Sequence, residues 1–208
     1  MFILLILASA SKARHRLLQE VGIEHLVIVS DVDEKLFDQE DVHELVKSLA
    51  KAKAKSSSYK FSQLLKTNDT LQMTNYVLGC DSLFEFKDRI CGKPKDEDEA
   101  VSRLKEMSSN FGYLHTGHCL LNTDFSNGNI DRDLFKKIQI KVVTTKITFS
   151  NISHEEIKEY VSTGEPYQAA GGFNLEGKGG LFIQSIEGCY SNVIGLSLPW
   201  LRMALLKT

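Results

Sequence analysis

Short apolar runs alternate with segments of helical spacing along the 208 residues of this chain. Runs such as Phe2–Ala8 and Tyr76–Cys80 predict buried strands, because they are short and continuously apolar. Lys12–Val21 predicts a helix that ends at Gly22, a natural residue to follow a helix C-terminus. Asp38–Tyr59 has helical spacing of its apolar residues. This alternation predicts an α/β fold with a mixed β-sheet.

The other predicted elements continue the alternation. Further strands are predicted at Leu26–Ser30, Tyr113–Asn122, Lys137–Phe149 and Leu181–Ile186. Further helices are predicted at Asp96–Met107, Ser153–Ser162 and Val193–Leu205. The first two open with capping boxes, and the last is interrupted or started late by Pro199. Turns between strands are predicted at Lys87-Asp88 and Asn127-Gly128. Without repeats, linkers or low-complexity tracts, residues 1–208 are expected to form a single domain.

Composition excludes several classes of protein. The formal net charge is −2, so no basic excess favours nucleic acid or an anionic membrane as a partner. The four cysteines form no C-x-x-C pair, which argues against a zinc site or a redox pair. The apolar start, Met1–Ala10, has no preceding positive charge and is short for a signal peptide. No apolar stretch approaches the roughly 20 residues of a membrane span, so we expect a cytoplasmic protein.

The junction after the first predicted strand is a candidate phosphate site. Small residues, Ser9-Ala10-Ser11, lead into the first predicted helix, and a helix N-terminus favours an anion. Ser9 and Ser11 can donate hydroxyl hydrogen bonds, and Arg14 can bind a phosphate through two nitrogens. The alternative is a serine that only caps the helix, followed by a solvated basic helix face.

Two acidic positions are candidate metal ligands. Residues 31–34, Asp-Val-Asp-Glu, form a predicted acidic loop, and Asp81 directly follows an apolar strand, where α/β proteins place ligand-binding groups. Carboxylates from the two places could share Mg²⁺, which takes only one or two protein carboxylates when substrate phosphates also bind it. The alternative is an ordinary turn aspartate and a hydrophilic loop.

Two further loops carry charged candidates. Gly92 and Pro94 restrict the backbone around Lys93, which could hold that lysine in a cleft; a simple turn is the alternative. Residues 170–180 are rich in glycine and nearly spell a P-loop. Gly179 occupies the position of the hydroxyl that should bind Mg²⁺, and a strand follows, so a P-loop is rejected. A flexible loop that faces a ligand with Glu176 or Lys178 is expected instead.

Together and in this order, these motifs resemble the Maf family of nucleotide pyrophosphatases. The resemblance covers almost the whole chain. The matching strings, in chain order, are residues 7–18, 30–34, 49–54, 79–82, 92–94, 116–117, 164–166, 170–171, 176–179 and 186–199.

The resemblance implies both a fold and a reaction. The implied fold is a two-lobed, inosine-triphosphatase-like α/β fold, with an elongated mixed sheet flanked by helices and a central cleft. The implied reaction is hydrolysis of normal, modified or non-standard nucleoside triphosphates to a monophosphate and pyrophosphate, assisted by Mg²⁺ or Mn²⁺. Members of the family are usually cytoplasmic and often homodimeric.

The resemblance also implies roles for residues at matching positions. Asp81 looks like the general base that activates water, and with Glu34 it looks like a metal ligand. Residues that look like phosphate contacts are Ser9, Arg14, Lys53 and Lys93. The positive charges of the last three would stabilise the transition state. Glu176 matches the position of a glutamine or glutamate near the substrate.

Three motifs depart from the family pattern. An arginine that usually precedes Arg14 is replaced by Ala13, and Cys80 and Ser82 flank Asp81 where alanine and threonine are common. Glu176 stands where pyrimidine-preferring members have glutamine, so the preferred base is open. Two other hypotheses for the function remain. One is a nucleotide-binding regulator of cell division with little turnover, and the other is a phosphohydrolase that acts on a sugar nucleotide or dinucleotide.

Overall fold

The computed structural model describes residues 5–37, 39–67, 76–123 and 135–207. Its strands are β1 (Leu5–Leu7), β2 (His25–Val27), β3 (Tyr76–Phe86), β4 (Arg89–Cys91), β5 (Phe111–Thr123), β6 (Phe135–Phe149) and β7 (Ile183–Glu187). Its α-helices are α1 (Lys12–Glu20), α2 (Val42–Thr67), α3 (Glu97–Met107), α4 (His154–Ser162), α5 (Tyr190–Ile194) and α6 (Leu198–Leu206). The start of the first predicted strand and the Asn127-Gly128 turn lie outside the described residues.

The strands form a mixed sheet, which confirms the predicted α/β class. The hydrogen-bonded order is β2-β1-β3-β5-β6-β7, and β4 pairs with β3. Strand β1 is parallel to β2 and β3, whereas the pairs β3–β4 and β6–β7 are antiparallel. Within the described ranges, no helix is long and apolar enough to cross a membrane.

The chain divides into two compact units. The first unit comprises residues 1–81, 117–142 and 198–208, and the second comprises residues 82–116 and 143–197. Strands β3, β5 and β6 contribute residues to both units. The single domain predicted for residues 1–208 stays a prediction.

Helix α2 lies directly on the strand backbones of the first unit. A Cβ atom added at Gly79 of β3 would lie 2.1 Å from the carbonyl oxygen of Ala50. A Cβ atom added at Gly117 of β5 would lie 2.1 Å from the carbonyl oxygen of Val46. Both glycines are therefore needed for close approach, and the contact fixes α2 against the strand that carries Asp81.

An aromatic cluster forms the core of the second unit. The rings of Phe84, Phe149 and Phe173 meet edge to face, with centroids 5.1–6.1 Å apart. Helices α3 and α4 contribute apolar residues to the same core. Edge-to-face packing of this kind adds to the free energy gained by burying the rings.

One predicted capping box and the predicted tight turn are confirmed, and a second capping box forms only in part. Ser153 and Glu156 form the predicted capping box of α4. Asp96 caps α3, but the Glu99 carboxylate accepts from the backbone N–H of Lys95, so the second box does not close as predicted. The predicted turn at Lys87-Asp88 joins β3 to β4, and both residues have positive φ.

Several predicted boundaries are wrong. Helix α2 continues to Thr67, beyond the predicted end at Tyr59, and β3 continues to Phe86. The segment Val193–Leu205 is divided between two helices, because Gly195 has a φ of 120° and ends α5. The predicted late start of the closing helix at Pro199 is confirmed, since α6 begins at Leu198. Residues 178–182 form a 3-10 helix, so β7 starts at Ile183 rather than Leu181.

All four cysteines are free thiols. Burial raises the pKa of Cys80 to about 11 and the pKa of Cys119 to about 12, and burial also raises the pKa of Cys91. For Cys189, burial acts to raise the pKa, but hydrogen bonds with the Ser191 and Ser197 side chains and with backbone N–H groups lower it by more, so the pKa is lowered overall.

We expect iodoacetamide to alkylate Cys189 first in the folded protein at neutral pH. The thiolate is the reactive form, and Cys189 combines a lowered pKa with partial exposure. Peptide mass spectrometry after timed labelling measures the rate at each cysteine. Labelling of Cys80 or Cys119 at the rate of Cys189, before unfolding, would contradict the buried positions of those two thiols.

Candidate active site

The loop between β1 and α1 holds a buried arginine. The hydroxyl of Ser9 accepts from the backbone N–H of Ser11 at 3.2 Å and from Nη1 of Arg14 at 3.0 Å. Ser11 caps the helix by accepting from the backbone N–H of Arg14. Arg14 is only 8% exposed, so the alternative of a solvated basic face is wrong for this residue. It holds for its neighbours Lys12 and Arg16, which are exposed.

Lys53 of α2 joins the two predicted acidic ligands. Its Nζ lies 2.5 Å from Oδ1 of Asp81 on β3 and 2.6 Å from Oε1 of Glu34. The side chain of Asp81 is 9% exposed and that of Lys53 is 13% exposed, whereas that of Glu34 is 58% exposed. The two predicted acidic positions therefore converge, and the group between them is an ammonium.

Helix α2 also holds the segment that leads into the acidic loop. The buried Ser57 hydroxyl donates to the carbonyl of Ile28 at 2.6 Å. Lys60 donates to the carbonyl of Val29 at 2.7 Å and forms an ion pair with Asp31 at 2.6 Å. These contacts tie the backbone before Glu34 to the helix that carries Lys53. They were not predicted from the sequence.

The surroundings of Asp81 raise the pKa of its carboxyl group and so make the carboxylate more basic. Burial raises the pKa of Asp81, because the charged form is desolvated. The charges of Lys53 and Arg14 act in the opposite direction, and the negative charge of Glu34 adds to the increase. The backbone N–H of Ala8 donates to the carbonyl of Leu78 at 2.8 Å, so the loop with Ser9 begins beside β3, the strand that also carries Asp81.

The donor set fits a divalent cation that is completed by a substrate. Asp81 and Glu34 supply carboxylate oxygens, the ligands that Mg²⁺ and Mn²⁺ prefer. The part of the chain that the structure describes has no group of three or more His, Cys, Asp or Glu residues able to hold a metal. A cation held by these two carboxylates would therefore need further oxygen ligands from water or phosphate.

Lys93 and Glu176, the other two predicted site residues, belong to the second unit, and both are exposed. The carbonyl of Gly92 accepts from the backbone N–H of Gly171 at 3.2 Å. The structure thus brings the Lys93 loop into contact with the glycine-rich segment that leads to Glu176.

A carboxylate organises the glycine-rich segment from within. Glu165 accepts from the backbone N–H groups of Lys178 and Gly179 at 3.0 Å each, and from the hydroxyl of Tyr160 at 3.0 Å. A Cβ atom at Gly177 would lie 2.4 Å from Oε2 of Glu165. Glycine at position 177 therefore makes room for Glu165. The segment contains two 3-10 turns, at Ala170–Gly172 and Lys178–Phe182.

The fold and the site define an α/β protein with a charged site suited to a phosphorylated ligand. The family described as Maf-like protein matches residues 4–208 of the sequence. The chain belongs to this family, as its motifs predict.

The sequences of several named relatives align with nearly the full length of this chain. A protein of Prochlorococcus marinus strain SARG named "Nucleoside triphosphate pyrophosphatase" is 52% identical, over 98% of this chain and 97% of its own length. Proteins of the same name from Prochlorococcus marinus strain NATL2A and Synechococcus sp. strain CC9311 are 50% and 46% identical. They match 97% and 96% of this chain, and 94% and 97% of their own lengths.

A solved structure was also matched. The Staphylococcus aureus Ham1 protein is 14% identical and aligns with a TM-score of 0.36, over 71% of this chain and 72% of its own. The likeness is too small to bear on function.

Proposed function

We propose that this chain is a nucleoside triphosphate pyrophosphatase, which hydrolyses its substrate to a nucleoside monophosphate and pyrophosphate. The names of relatives at 52% and 50% identity support this activity. The observation that carries the proposal is the buried Asp81 carboxylate, which contacts Lys53 and lies within electrostatic reach of Arg14. A module that only bound nucleotide would not need a buried carboxylate with a raised pKa.

Asp81 is the general base in this proposal. Its carboxylate orients a water molecule and accepts a proton as the water attacks a phosphorus atom. A raised pKa makes the carboxylate a stronger base than an ordinary aspartate, and the positive charges of Lys53 and Arg14 favour its ionised form. Burial also removes competing bulk water from the carboxylate.

Asp81 and Glu34 would also hold the divalent cation, Mg²⁺ or Mn²⁺. When bound, such a cation supplies positive charge that offsets the negative charge of the triphosphate. The acidic loop that ends in Glu34 is tied to α2, so the distance between the two carboxylates is held by the same helix that presents Lys53.

Phosphate binding falls to the β1–α1 loop. Arg14 is held beside Ser9 with its guanidinium buried, which reduces the entropy lost when a phosphate binds. The N-terminus of α1 adds a favourable dipole. Lys93, as a charge for the phosphates, and Glu176, as a contact for the base, enter the proposal through the family resemblance alone. Cytoplasmic location and a homodimer stay predictions of the sequence.

Product analysis tests the proposed reaction. We expect equal amounts of nucleoside monophosphate and pyrophosphate from at least one normal or modified nucleoside triphosphate in Mg²⁺ or Mn²⁺. We expect no products in excess chelator, because two carboxylates and a lysine cannot replace the charge of the cation. Full rates in chelator would rule out the role of the metal.

A further inference from the structure

Lys53 contacts both carboxylates that would hold the cation. Its ammonium lies 2.5 Å from Asp81 and 2.6 Å from Glu34, and its side chain is only 13% exposed. The ammonium thus uses one oxygen of each carboxylate and neutralises part of their charge. The family resemblance implies a different partner for Lys53, namely a phosphate of the substrate.

We propose that Lys53 is a built-in competitor of the divalent cation, which keeps free metal out of the site until the phosphates of the substrate draw its ammonium away. The proposal rests on the proposed function, since it needs Asp81 and Glu34 to be metal ligands. It adds an order of events, in which metal enters together with nucleotide.

The competition follows from charge and shared ligands. A divalent cation on Asp81 and Glu34 would meet the positive charge of Lys53 at close range, where two like charges repel strongly. Mg²⁺ also loses its water reluctantly, so two carboxylates already paired with an ammonium offer it little. Phosphate oxygens change the balance, because they accept hydrogen bonds from an ammonium and can bind the cation directly.

The fold allows the side chain to move while the helix stays in place. Helix α2 is held against β3 and β5 by the close contacts at Gly79 and Gly117. The lysine stem is long and flexible, whereas the guanidinium of Arg14 is already held by Ser9. Exchange of partners by the Lys53 ammonium is therefore confined to rotation of its own side chain.

Titration of the protein with Mn²⁺ in the absence of nucleotide tests the proposal, with free Mn²⁺ measured by electron paramagnetic resonance at about pH 8, where carboxylates are ionised. We expect Lys53→Met to bind Mn²⁺ about tenfold or more tightly than the unchanged protein, a size typical of coupling between ligands. We also expect Mn²⁺ alone to raise the Tm of Lys53→Met more than that of the unchanged protein.

Lys51→Met is the matched control. Lys51 lies on the same helix, and Lys51→Met removes the same charge as Lys53→Met. Lys53 is the residue that pairs with Asp81 and Glu34, so the Mn²⁺ affinity of Lys51→Met should equal that of the unchanged protein. Lys53→Gln serves as a second variant if Lys53→Met does not fold. Equal or weaker Mn²⁺ binding by the Lys53 variants would overturn this proposal alone. No Mn²⁺ binding by any variant, with or without an α,β-methylene triphosphate, would overturn the proposed metal site as well.

Discussion

Asp81→Asn is expected to lower kcat by about 10²- to 10⁴-fold, the usual contribution of a general base. The amide cannot accept the proton of the attacking water, although it keeps nearly the same shape. Nucleotide binding should persist, because Arg14 and Ser9 are unchanged. Loss of a negative charge beside the phosphates should not weaken that binding. Steady-state kinetics measures the first effect, and isothermal calorimetry measures the second.

Asp88→Asn provides the matched control for Asp81→Asn. Asp88 lies in the β3–β4 turn with a φ of 56°, a conformation that asparagine adopts readily. The same chemical change there should leave kcat within about twofold, since surface substitutions away from special features have small effects. A near-normal kcat in Asp81→Asn would contradict the assignment of Asp81 as the general base.

Gly79→Ala should lower the free energy of unfolding by about 3 kcal/mol, the upper range for overpacking a core. The new Cβ would lie 2.1 Å from the carbonyl oxygen of Ala50 and 2.8 Å from the backbone nitrogen of Ala54. These are backbone atoms, so α2 itself must shift. For a chain of this size, the expected fall in Tm is about 6–12 °C. Activity should fall as well, because α2 carries Lys53.

Gly92→Ala controls for the loss of a glycine. A Cβ at Gly92 meets nothing within 4 Å, so the free energy of unfolding should change by less than about 0.5 kcal/mol. Urea or thermal unfolding of the two variants measures the difference. Equal stability of Gly79→Ala and the unchanged protein would mean that α2 does not lie on the backbone of β3.

Signals that act over a few residues predict the fold well. The capping box of Ser153 and Glu156 forms as the sequence predicts, and so does the turn at Lys87-Asp88. In each case, the residues that carry the signal also make the contact. The alternation of strands and helices likewise predicted the class, because it reflects which faces must be buried.

The end of α2 shows where local signals fail. Three serines at positions 56–58 predict the end of a helix, because serine competes for backbone hydrogen bonds. In the structure, Ser57 is buried and donates to Ile28 instead, and Lys60 binds Val29 and Asp31. Ser57 and Lys60 follow Lys53 at the i+4 and i+7 spacing of one helix face. A prediction that continued the helix beyond Tyr59 would have placed Ser57 and Lys60 on the same face as Lys53.

Contacts between distant residues could not be predicted from spacing. Lys53 and Asp81 are 28 positions apart, and the sequence places them together only through family resemblance. The phosphate contact that the resemblance implies for Lys53 stays a prediction, and the pairing of Lys53 with two carboxylates was not predicted. Similarly, glycine-rich residues 170–180 suggested a loop open to a ligand. The backbone N–H groups of Lys178 and Gly179 bind the carboxylate of Glu165.

Identification of the products formed from a panel of normal and modified nucleoside triphosphates is the most direct test of the central claim. We expect equal amounts of monophosphate and pyrophosphate with Mg²⁺ or Mn²⁺, and the best substrate would reveal the preferred base. Orthophosphate as the product would contradict the proposed cleavage and favour another phosphohydrolase. No product from any triphosphate, with folded protein that still binds nucleotide, would contradict an enzymatic role and favour a nucleotide-binding regulator.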